Sequence, residues 1–309
     1  MASRFRKKLA GFVCNFVPTK KARSAVRDFI ENPNITGRIK HMRDGRALWN
    51  AEKLRKKSNA KYQYNLSVLA IVKDEGPYLR EWIEYHRIVG VDKFYIYDNE
   101  SSDNIMEILK PYIDSGLVDY TYWPGQAQQL PAYADWLVKH KNDTKWVAII
   151  DLDEFILPIS EKSIVDYLDG LALSTSALVV HWFMFGSNGH DKKPDGLVVE
   201  SYTKRAKKKH YHYKSIVNPR LCHSLHVHKH DNVGRTIYMP EDKMRINHYH
   251  CKSWQEYQFR KTRGCAFRGK EAAQARYTRE FFDARDTNDV SDTLILERYF
   301  EQLKKRLSD

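Results

Sequence analysis

The sequence predicts an α/β fold in which a mostly parallel central sheet is flanked by helices. From Leu66 onward, short apolar segments typical of buried strands alternate with amphipathic segments typical of helices. Acidic and polar clusters follow several of the apolar segments. Because ligands of parallel sheets gather beyond the carboxyl ends of the strands, we expect a binding site at that edge.

The predicted elements follow in order along the chain. Strands are expected at 66–72, 91–98, 117–123, 146–150 and 177–187, and helices at 74–90, 101–116, 131–141 and 164–171. Residues 186–244 have an irregular, strand-rich pattern, and the chain from Lys252 onward is expected to be mostly helical. We divide the chain into an N-terminal arm (1–60), a body (61–265) and a C-terminal helical extension (266–309).

The net charge of +13 is concentrated in the arm, which is expected to be helical. Residues 1–57 contain 16 Lys/Arg and 4 Asp/Glu, whereas the remaining 252 residues contain 36 basic and 35 acidic side chains. A basic arm suits an anionic surface such as a bacterial inner leaflet. A solvated extension without a target is an equally open alternative. The near-neutral body argues against nucleic-acid binding, which needs basic charge around the site itself.

One predicted helix of the arm has an apolar face, formed by Phe5, Leu9, Phe12, Val13 and Phe16. This face is expected either to enter a membrane interface or to pack on the body. No stretch reaches the roughly 20 apolar residues of a membrane span, and the interrupted apolar patch does not match a cleaved signal peptide.

The cysteines indicate a reducing compartment. Cys14, Cys222, Cys251 and Cys265 are far apart and form no CxxC pair. We therefore expect reduced thiols and a cytoplasmic location. Peripheral attachment to the inner face of the cytoplasmic membrane through the arm is left open.

Three carboxylates separate two apolar runs in KWVAIIDLDEFILP, Lys145 to Pro158. Asp151, Asp153 and Glu154 are costly at this position unless a positive partner lies among them. An Asp-x-Asp pair at a strand end can bind Mg²⁺ or Mn²⁺, which fills its remaining positions with phosphate oxygens and water. The alternatives are a cap for a following helix and a salt bridge to a lysine.

Two groups of histidines have the alternating spacing of a strand. His248 and His250 can face the same side, and one neutral imidazole would be a third metal ligand. Hydrogen-bonded, half-buried histidines are the alternative. A second group contains no carboxylate, and we expect it to be structural or to bind an acceptor: His226, His228 and His230.

Five motifs between about residues 66 and 265 resemble, in the same order, the bacterial members of glycosyltransferase family 92 and related family 2-like enzymes. They are LAIVKDEGPYLREWIEYHRIVGVDKFYIYDNESSDN, WVAIIDLDEFILP, HWFMFGSNGHDKKPDGLVVESYTKR, HYKSIVNP and RINHYHCKSW. Residues 1–60 are similar to the basic leaders of some capsule and lipopolysaccharide glycosyltransferases. The resemblance implies a GT-A fold, a nucleotide-sugar donor, a divalent metal and inversion at the anomeric carbon.

The resemblance also implies that the two halves of the body bind different substrates. Residues 61–155 would bind the nucleotide-sugar, and residues 156–265 would bind the acceptor and complete the catalytic site. Asp151 and Asp153 match the motif that holds the metal and the diphosphate, and His248 matches the third metal ligand. The metal would be Mn²⁺ or Mg²⁺.

Further residues of the family motifs are expected to contact the donor. Asp98 would lie near the nucleoside and accept hydrogen bonds from ribose hydroxyls or a base N–H, with Val72 and Lys73 in the same crevice. Lys214 would hold a diphosphate oxygen, which suits a flexible point charge. Asp103, also a candidate cap of the second helix, belongs to the same nucleotide-binding set.

The acceptor hydroxyl must lose its proton to a base, usually a carboxylate in inverting enzymes. The candidates are Asp191 and Asp195, which follow FGSNGH, and Glu154 beside the Asp-x-Asp pair. We select Asp191, on a turn expected to overlook the sugar. His190 in the same turn is the runner-up, and the base stays open.

The sequence therefore predicts an inverting, metal-dependent glycosyltransferase. Its donor is expected to be UDP-linked, and its acceptor a glycan or glycolipid of surface polysaccharide or lipopolysaccharide synthesis. A non-catalytic relative that binds nucleotide or glycan is one alternative. A metal-dependent phosphotransferase or nuclease is another, which the near-neutral body argues against.

Overall fold

The computed structural model describes residues 45–46, 62–172, 175–263 and 277–308. Most of the N-terminal arm, including the amphipathic helix predicted for it, lies outside the described residues, as do Cys14 and Cys265. Within the described ranges, every helix is too short or too polar to cross a membrane.

The first half of the body alternates strands and helices. In chain order these are β1 (Tyr64–Val72), α1 (Gly76–Ile88), β2 (Lys93–Asp98), α2 (Ile105–Asp114), β3 (Val118–Tyr122), α3 (Gln129–His140) and β4 (Thr144–Ile149). The strands lie side by side in the order β3-β2-β1-β4, and all three pairings are parallel. The strand–helix alternation predicted for this half is therefore confirmed.

Both faces of β1 are buried, because helices cover the sheet on both sides. Val68 and Ala70 point into the core that contains α1, whereas Leu69 and Ile71 point into the core that contains α3. Opposite faces alternate along a strand, so a strand buried on both sides has an almost continuous apolar sequence.

The second half contains short strands joined by longer loops. In chain order, its strands and helices are β5 (Glu154–Pro158), α4 (Ile164–Asp169), β6 (Thr175–Met184), α5 (Val198–Ser201), β7 (Lys204–Arg205), β8 (Tyr213–Val217), β9 (Cys222–Ser224), β10 (Asp231–Asn232), β11 (Arg235–Tyr238) and β12 (Met244–His248), with a 3-10 turn at Pro219–Leu221. The main sheet continues from β4 in the order β8-β6-β12-β5, and β11 pairs with β6.

This half of the sheet is mixed in direction. Strand β8 is antiparallel to both β4 and β6, and β5 is antiparallel to β12. The β6–β12 and β6–β11 pairings are parallel. The predicted α/β class, with a mostly parallel sheet flanked by helices, is confirmed, and the antiparallel strands are confined to this half.

The C-terminal segment completes the body. It comprises α6 (Trp254–Arg263), α7 (Arg279–Asp283), β13 (Val290–Ser291) and α8 (Leu294–Ser308). Ile295, Tyr299 and Leu303 of α8 recur at four-residue spacing, and they are buried in the core that contains α1. Strand β13 pairs with β7. The extension predicted from residue 266 thus packs on the body, although residues 264–276 around its start are not described.

Candidate active site

The carboxyl ends of β1 and β2 form one wall of the predicted crevice. Val72 lies opposite Asp98 in the parallel register, and the N–H of Asn99 donates to the Val72 carbonyl at 2.8 Å. The ammonium of Lys73 donates to the Asn99 carbonyl at 2.9 Å. The structure therefore brings Val72, Lys73 and Asp98 together at the edge where the sequence predicts them.

The carboxylates at this edge also support the loops that leave it. Asp98 accepts hydrogen bonds from the Ser101 N–H at 2.9 Å and the Tyr120 hydroxyl at 2.8 Å, one on each oxygen. Asp103 accepts from the Gly76 N–H at 2.7 Å. Both groups have a structural role, and their contact with a nucleotide stays a prediction.

Asp151, Glu154 and Lys214 converge beyond the end of β4. The Lys214 ammonium lies 2.9 Å from Oδ2 of Asp151 and 3.8 Å from Oε1 of Glu154. Glu154 also accepts from the Asp151 N–H at 3.2 Å. The side chains of Lys214 and Glu154 are fully buried, whereas that of Asp151 is 38% exposed. Asp151 is therefore the carboxylate of this group that faces solvent.

Burial and charge act in opposite directions on the two buried groups. Burial raises the pKa of Glu154 well above its ordinary value, and the neighbouring Asp151 and Asp153 raise it further against the opposing charge of Lys214. Burial alone would lower the pKa of Lys214, but Asp151 and Glu154 raise it above its ordinary value. Lys214 is therefore a fixed cation at neutral pH.

Asp153 has a different set of partners. Its Oδ2 lies 2.6 Å from Nη2 of Arg260, on α6, and 3.3 Å from Nε2 of His248, at the end of β12. All three side chains are at least nine-tenths buried. Burial alone would raise the pKa of Asp153, but the neighbouring His248 and Arg260 lower it well below its ordinary value.

The acidic and histidine side chains form two overlapping groups whose ligand atoms lie within 4.8 Å of one another. One contains Asp151, Asp153 and Glu154, and the other contains Asp153, His248 and His250. The prediction that His248 and His250 face the same side is thereby confirmed. Asp153 belongs to both groups, whereas Asp151 and His248 belong to different groups.

The donor set fits a divalent cation. Nδ1 of His248 and Oε1 of Glu154 are buried, and neither makes a hydrogen bond among the described residues. Carboxylate and imidazole donors are the kinds that Mn²⁺ accepts. The positive partners that the three carboxylates require are nevertheless already present in the protein, since Lys214 and Arg260 pair with Asp151 and Asp153.

The predicted bases occupy three different environments. The Asp191 side chain is 84% exposed and lies 3.9 Å from Nη1 of Arg279. The His190 ring packs edge-on to Tyr202 at 5.9 Å between centroids. Within the described ranges, no hydrogen bond or ion pair joins Asp191 or His190 to these carboxylates, and the side chain of Glu154 is fully buried beside Lys214. The identity of the base stays a prediction.

Two features of the site are absent from the sequence predictions. Arg260 lies on a helix after the last family motif, and no pattern in the sequence indicates that it reaches Asp153. Trp182, at the end of β6, packs edge-on to His248 at 4.3 Å and to His228 at 5.4 Å. Parallel pairing of β6 and β12 brings Trp182 beside His248, and sequence spacing gives no sign of that pairing.

Comparison with known proteins decides the family. A model described as glycosyltransferase family 92 matches residues 68–294. The chain belongs to glycosyltransferase family 92. The family inferred from the five sequence motifs is therefore confirmed.

Curated relatives within this family are plant and animal proteins. A glycosyltransferase family 92 protein of Oryza sativa subsp. japonica is 31% identical over 63% of this chain and 34% of its own length. Galactan beta-1,4-galactosyltransferase GALS3 of Arabidopsis thaliana is 27% identical over 63% of this chain and 42% of its own length. Beta-1,4-galactosyltransferase galt-1 of Caenorhabditis elegans is 27% identical over 51% of this chain and 37% of its own length. The chain thus spans less than half the length of each of these relatives.

Solved structures with partial similarity include S. aureus TarS 1–349 in complex with UDP. The match to this structure has a TM-score of 0.34 at 12% identity, and it covers 51% of this chain and 47% of the TarS chain. Glucosyl-3-phosphoglycerate synthase from Mycobacterium tuberculosis, in complex with Mn²⁺, UDP and glucosyl-3-phosphoglycerate, has a TM-score of 0.28 at 16% identity. It covers 44% of this chain and 48% of that one.

Proposed function

We propose that this chain transfers a sugar from a nucleotide-sugar, expected to be UDP-linked, to a hydroxyl of a glycan or glycolipid, with inversion at the anomeric carbon. The carrying observation is the convergence of Asp151, Glu154 and Lys214 at the carboxyl edge of a parallel sheet, in a family 92 chain. Such an edge is the usual ligand site of α/β sheets.

Lys214 has the properties that a departing diphosphate requires. Negative charge grows on the leaving group during transfer, and a preorganised cation in a buried site stabilises it most effectively. Lys214 is fully buried and held by Asp151, which is itself partly open to solvent. We infer that the diphosphate approaches along Asp151 and shares the ammonium with it.

Val72, Lys73, Asp98 and Asp103 would bind the nucleoside half of the donor. Asp98 keeps the loop after β2 in place through Ser101 and Tyr120, so the crevice is preformed. Preformed polar groups lower the entropic cost of binding. This supports the first half of the body, residues 61–155, as the donor-binding half.

Asp151, Asp153 and His248 would hold Mn²⁺ or Mg²⁺. When bound, a divalent cation supplies Lewis-acid stabilisation of the diphosphate oxygens. Asp153 shares one group of ligand atoms with Asp151 and another with His248, and this shared position supports the assignment. The ion pairs with Lys214 and Arg260 favour a second possibility, in which these side chains alone neutralise the donor.

Calorimetry with UDP-, GDP- and CMP-linked sugars tests the donor site. We expect the full chain to bind one nucleotide class in the presence of Mn²⁺ and the double variant Asp151→Asn/Asp153→Asn to lose that binding. Binding that survives EDTA would favour the possibility in which Lys214 and Arg260 act alone. A folded wild-type protein that binds none of the donors would contradict the proposed transfer reaction.

The acceptor hydroxyl must give up its proton on the face of the sugar opposite the leaving group. We keep Asp191 as the proposed base, because its exposed carboxylate is accessible to a substrate. Asp191→Asn should then abolish transfer while nucleotide binding remains. Loss of transfer in His190→Gln instead would move the role to His190.

Two of the curated relatives are named galactosyltransferases, and these names support a galactosyl donor and a polysaccharide acceptor. For this chain we propose surface glycan synthesis on the cytoplasmic side of a membrane, with the basic residues 1–57 contacting anionic lipid. Vesicles of phosphatidylglycerol should retain the full chain and release it when residues 1–57 are deleted. Equal retention of the two forms would refute this role of the arm.

A further inference from the structure

An open cavity of about 650 Å³ lies beside the carboxylate site, on the sheet face that carries α3. Its floor is formed by alternate residues of β6 and β8, among them Tyr213 and Ser215. Its rim is formed by the 226–234 segment and by Tyr238 of β11. Pockets for small organic ligands have about this volume.

The hydrogen-bonding role of His228 at the cavity wall is fixed by the backbone. Its Nδ1 lies 2.8 Å from the carbonyl of Tyr213, and a carbonyl can only accept. Nδ1 therefore carries the proton, and Nε2 of the neutral ring is an acceptor. No hydrogen bond joins Nε2 to another residue in the part of the chain that the structure describes.

His230 has the opposite tautomer. Its Nδ1 accepts from the His226 N–H at 3.1 Å, so the proton of the neutral ring lies on Nε2. That N–H is buried at the cavity wall and has no partner among the described residues. An unpaired buried donor is costly, and a ligand or water that accepts from it recovers the cost.

Both rings are neutral at physiological pH. Burial lowers the pKa of His230 to about 3. Burial also lowers the pKa of His228, with a smaller contribution from Lys214. The two rings therefore present one acceptor and one donor without net charge, beside the phenol rings of Tyr213 and Tyr238. This combination matches the hydroxyls and the apolar ring faces of a neutral sugar, and the two charged residues of the lining, Lys229 and Asp231, have opposite signs.

The cavity is connected to the carboxylate site through two contacts. The ring of His228 packs against Trp182, which in turn packs against His248. On β8, Tyr213 and Ser215 line the cavity, whereas Lys214 between them belongs to the opposite face of the strand, and its ammonium meets Asp151. The cavity is thus linked to the carboxylate site through His228 and Trp182, and the charge of Lys214 acts on the His228 ring.

We propose that this cavity binds the acceptor as a neutral saccharide, with His228 Nε2 accepting a hydrogen bond from a sugar hydroxyl and His230 Nε2–H donating to a sugar oxygen. The proposal rests on the proposed transfer function, and it names the acceptor site.

Saccharide binding to the full chain tests the proposal. The probes are β-1,4-galactobiose, cellobiose and N-acetyllactosamine, titrated by NMR in the presence of UDP. His228→Phe keeps a ring against Trp182 and removes both nitrogens, whereas His228→Gln restores an acceptor. We expect His228→Phe to weaken saccharide binding about tenfold and His228→Gln to recover most of it. His223→Phe, at an exposed position outside the cavity, should bind like wild type.

UDP binding by the same variants separates this proposal from the proposed function. The acceptor assignment predicts that UDP affinity is unchanged in His228→Phe. Saccharide binding that is insensitive to His228 would overturn it, as would a wild-type protein that binds UDP but none of the saccharides. Saccharide binding at His228 without any UDP binding would leave the cavity assignment standing and refute the donor site.

Discussion

Arg260 and Asp153 form a buried ion pair, with Nη2 and Oδ2 2.6 Å apart and the two residues 107 positions apart in sequence. The same carboxylate oxygen lies 3.3 Å from His248. Burying charged groups is expensive unless each is paired. The pair therefore couples α6 to the loop between β4 and β5, and it determines how freely Asp153 can meet another cation.

Arg260→Gln should destabilise the protein by about 3 kcal/mol, because it leaves the Asp153 carboxylate buried without its main partner. Chemical denaturation measures this free energy of unfolding. Arg279→Gln is a matched control, since Arg279 pairs with Asp283 in an exposed position and should contribute less than about 1 kcal/mol.

Mn²⁺ should raise the melting temperature of Arg260→Gln more than that of the wild type, because the cation replaces the lost positive charge. Thermal scans with and without Mn²⁺ check this. Equal shifts in the two proteins would show that the metal binds away from Asp153 or does not compete with Arg260.

Lys214→Met should weaken UDP binding by a factor of about 10 or more, because a charge-assisted contact to the diphosphate is lost. Calorimetry on protein shown to be folded by circular dichroism measures the affinity. Lys110→Met removes an exposed pair with Asp114 and should leave binding unchanged. Wild-type affinity in Lys214→Met would restrict Lys214 to a structural role.

The free energy of unfolding should decrease in acid, because the buried ring of His86 resists protonation in the folded protein. Burial lowers the pKa of this ring to about 3, while its Nδ1 donates to the Trp82 carbonyl. Below about pH 6.5 the unfolded chain binds a proton that the folded ring excludes, so unfolding gains about 1.4 kcal/mol per pH unit. The stability contributed by neutral His86 is thus present above pH 6.5 and lost as the pH falls toward 3.

Denaturation of wild type and His86→Leu at pH 7.5 and pH 4.5 measures this effect. The stability advantage of wild type over His86→Leu should shrink by roughly 2–3 kcal/mol between these values. A constant difference would show that His86 does not control the acid sensitivity.

Gly186→Ala should destabilise the turn that follows β6. A methyl group there would lie 2.6 Å from the Thr287 carbonyl oxygen, so the 286–288 loop would have to move. Overpacking of this kind typically costs about 1–3 kcal/mol. Gly170→Ala is the control, because the nearest atom to its methyl would be 3.7 Å away.

The first half of the fold is predictable from sequence, since buried parallel strands and their helices have local signatures. Strand β1 is apolar without interruption from Val68 to Val72, and Pro77 and Gly90 mark the limits of α1. The second half is less predictable, because its pairings join distant segments. Strand β5 lies beside β12, where Glu154 opposes His248, and neither segment encodes the other's position.

The candidate site divides in the same way. The family motifs indicate Asp153 and His248, and the structure brings them together. Arg260 is invisible to pattern analysis, because an arginine on an amphipathic helix is ordinarily solvated. The sequence pattern indicates His228 as a structural or acceptor-binding residue, but its tautomer depends on a carbonyl 15 residues away and is given only by the structure.

The long separation between Asp153 and Arg260 also has a consequence during synthesis. At about 5–20 residues per second, a ribosome adds Arg260 roughly 5–20 s after Asp153. Over that interval β1 to β4 can pair with one another. The edge of β4 stays unpaired until β8 has been made, and the Asp153 carboxylate has no arginine partner until Arg260 has been made. An unpaired strand edge is a template for aggregation. We therefore expect the nascent chain to depend on chaperones in this window, until β8, β12 and α6 have been made.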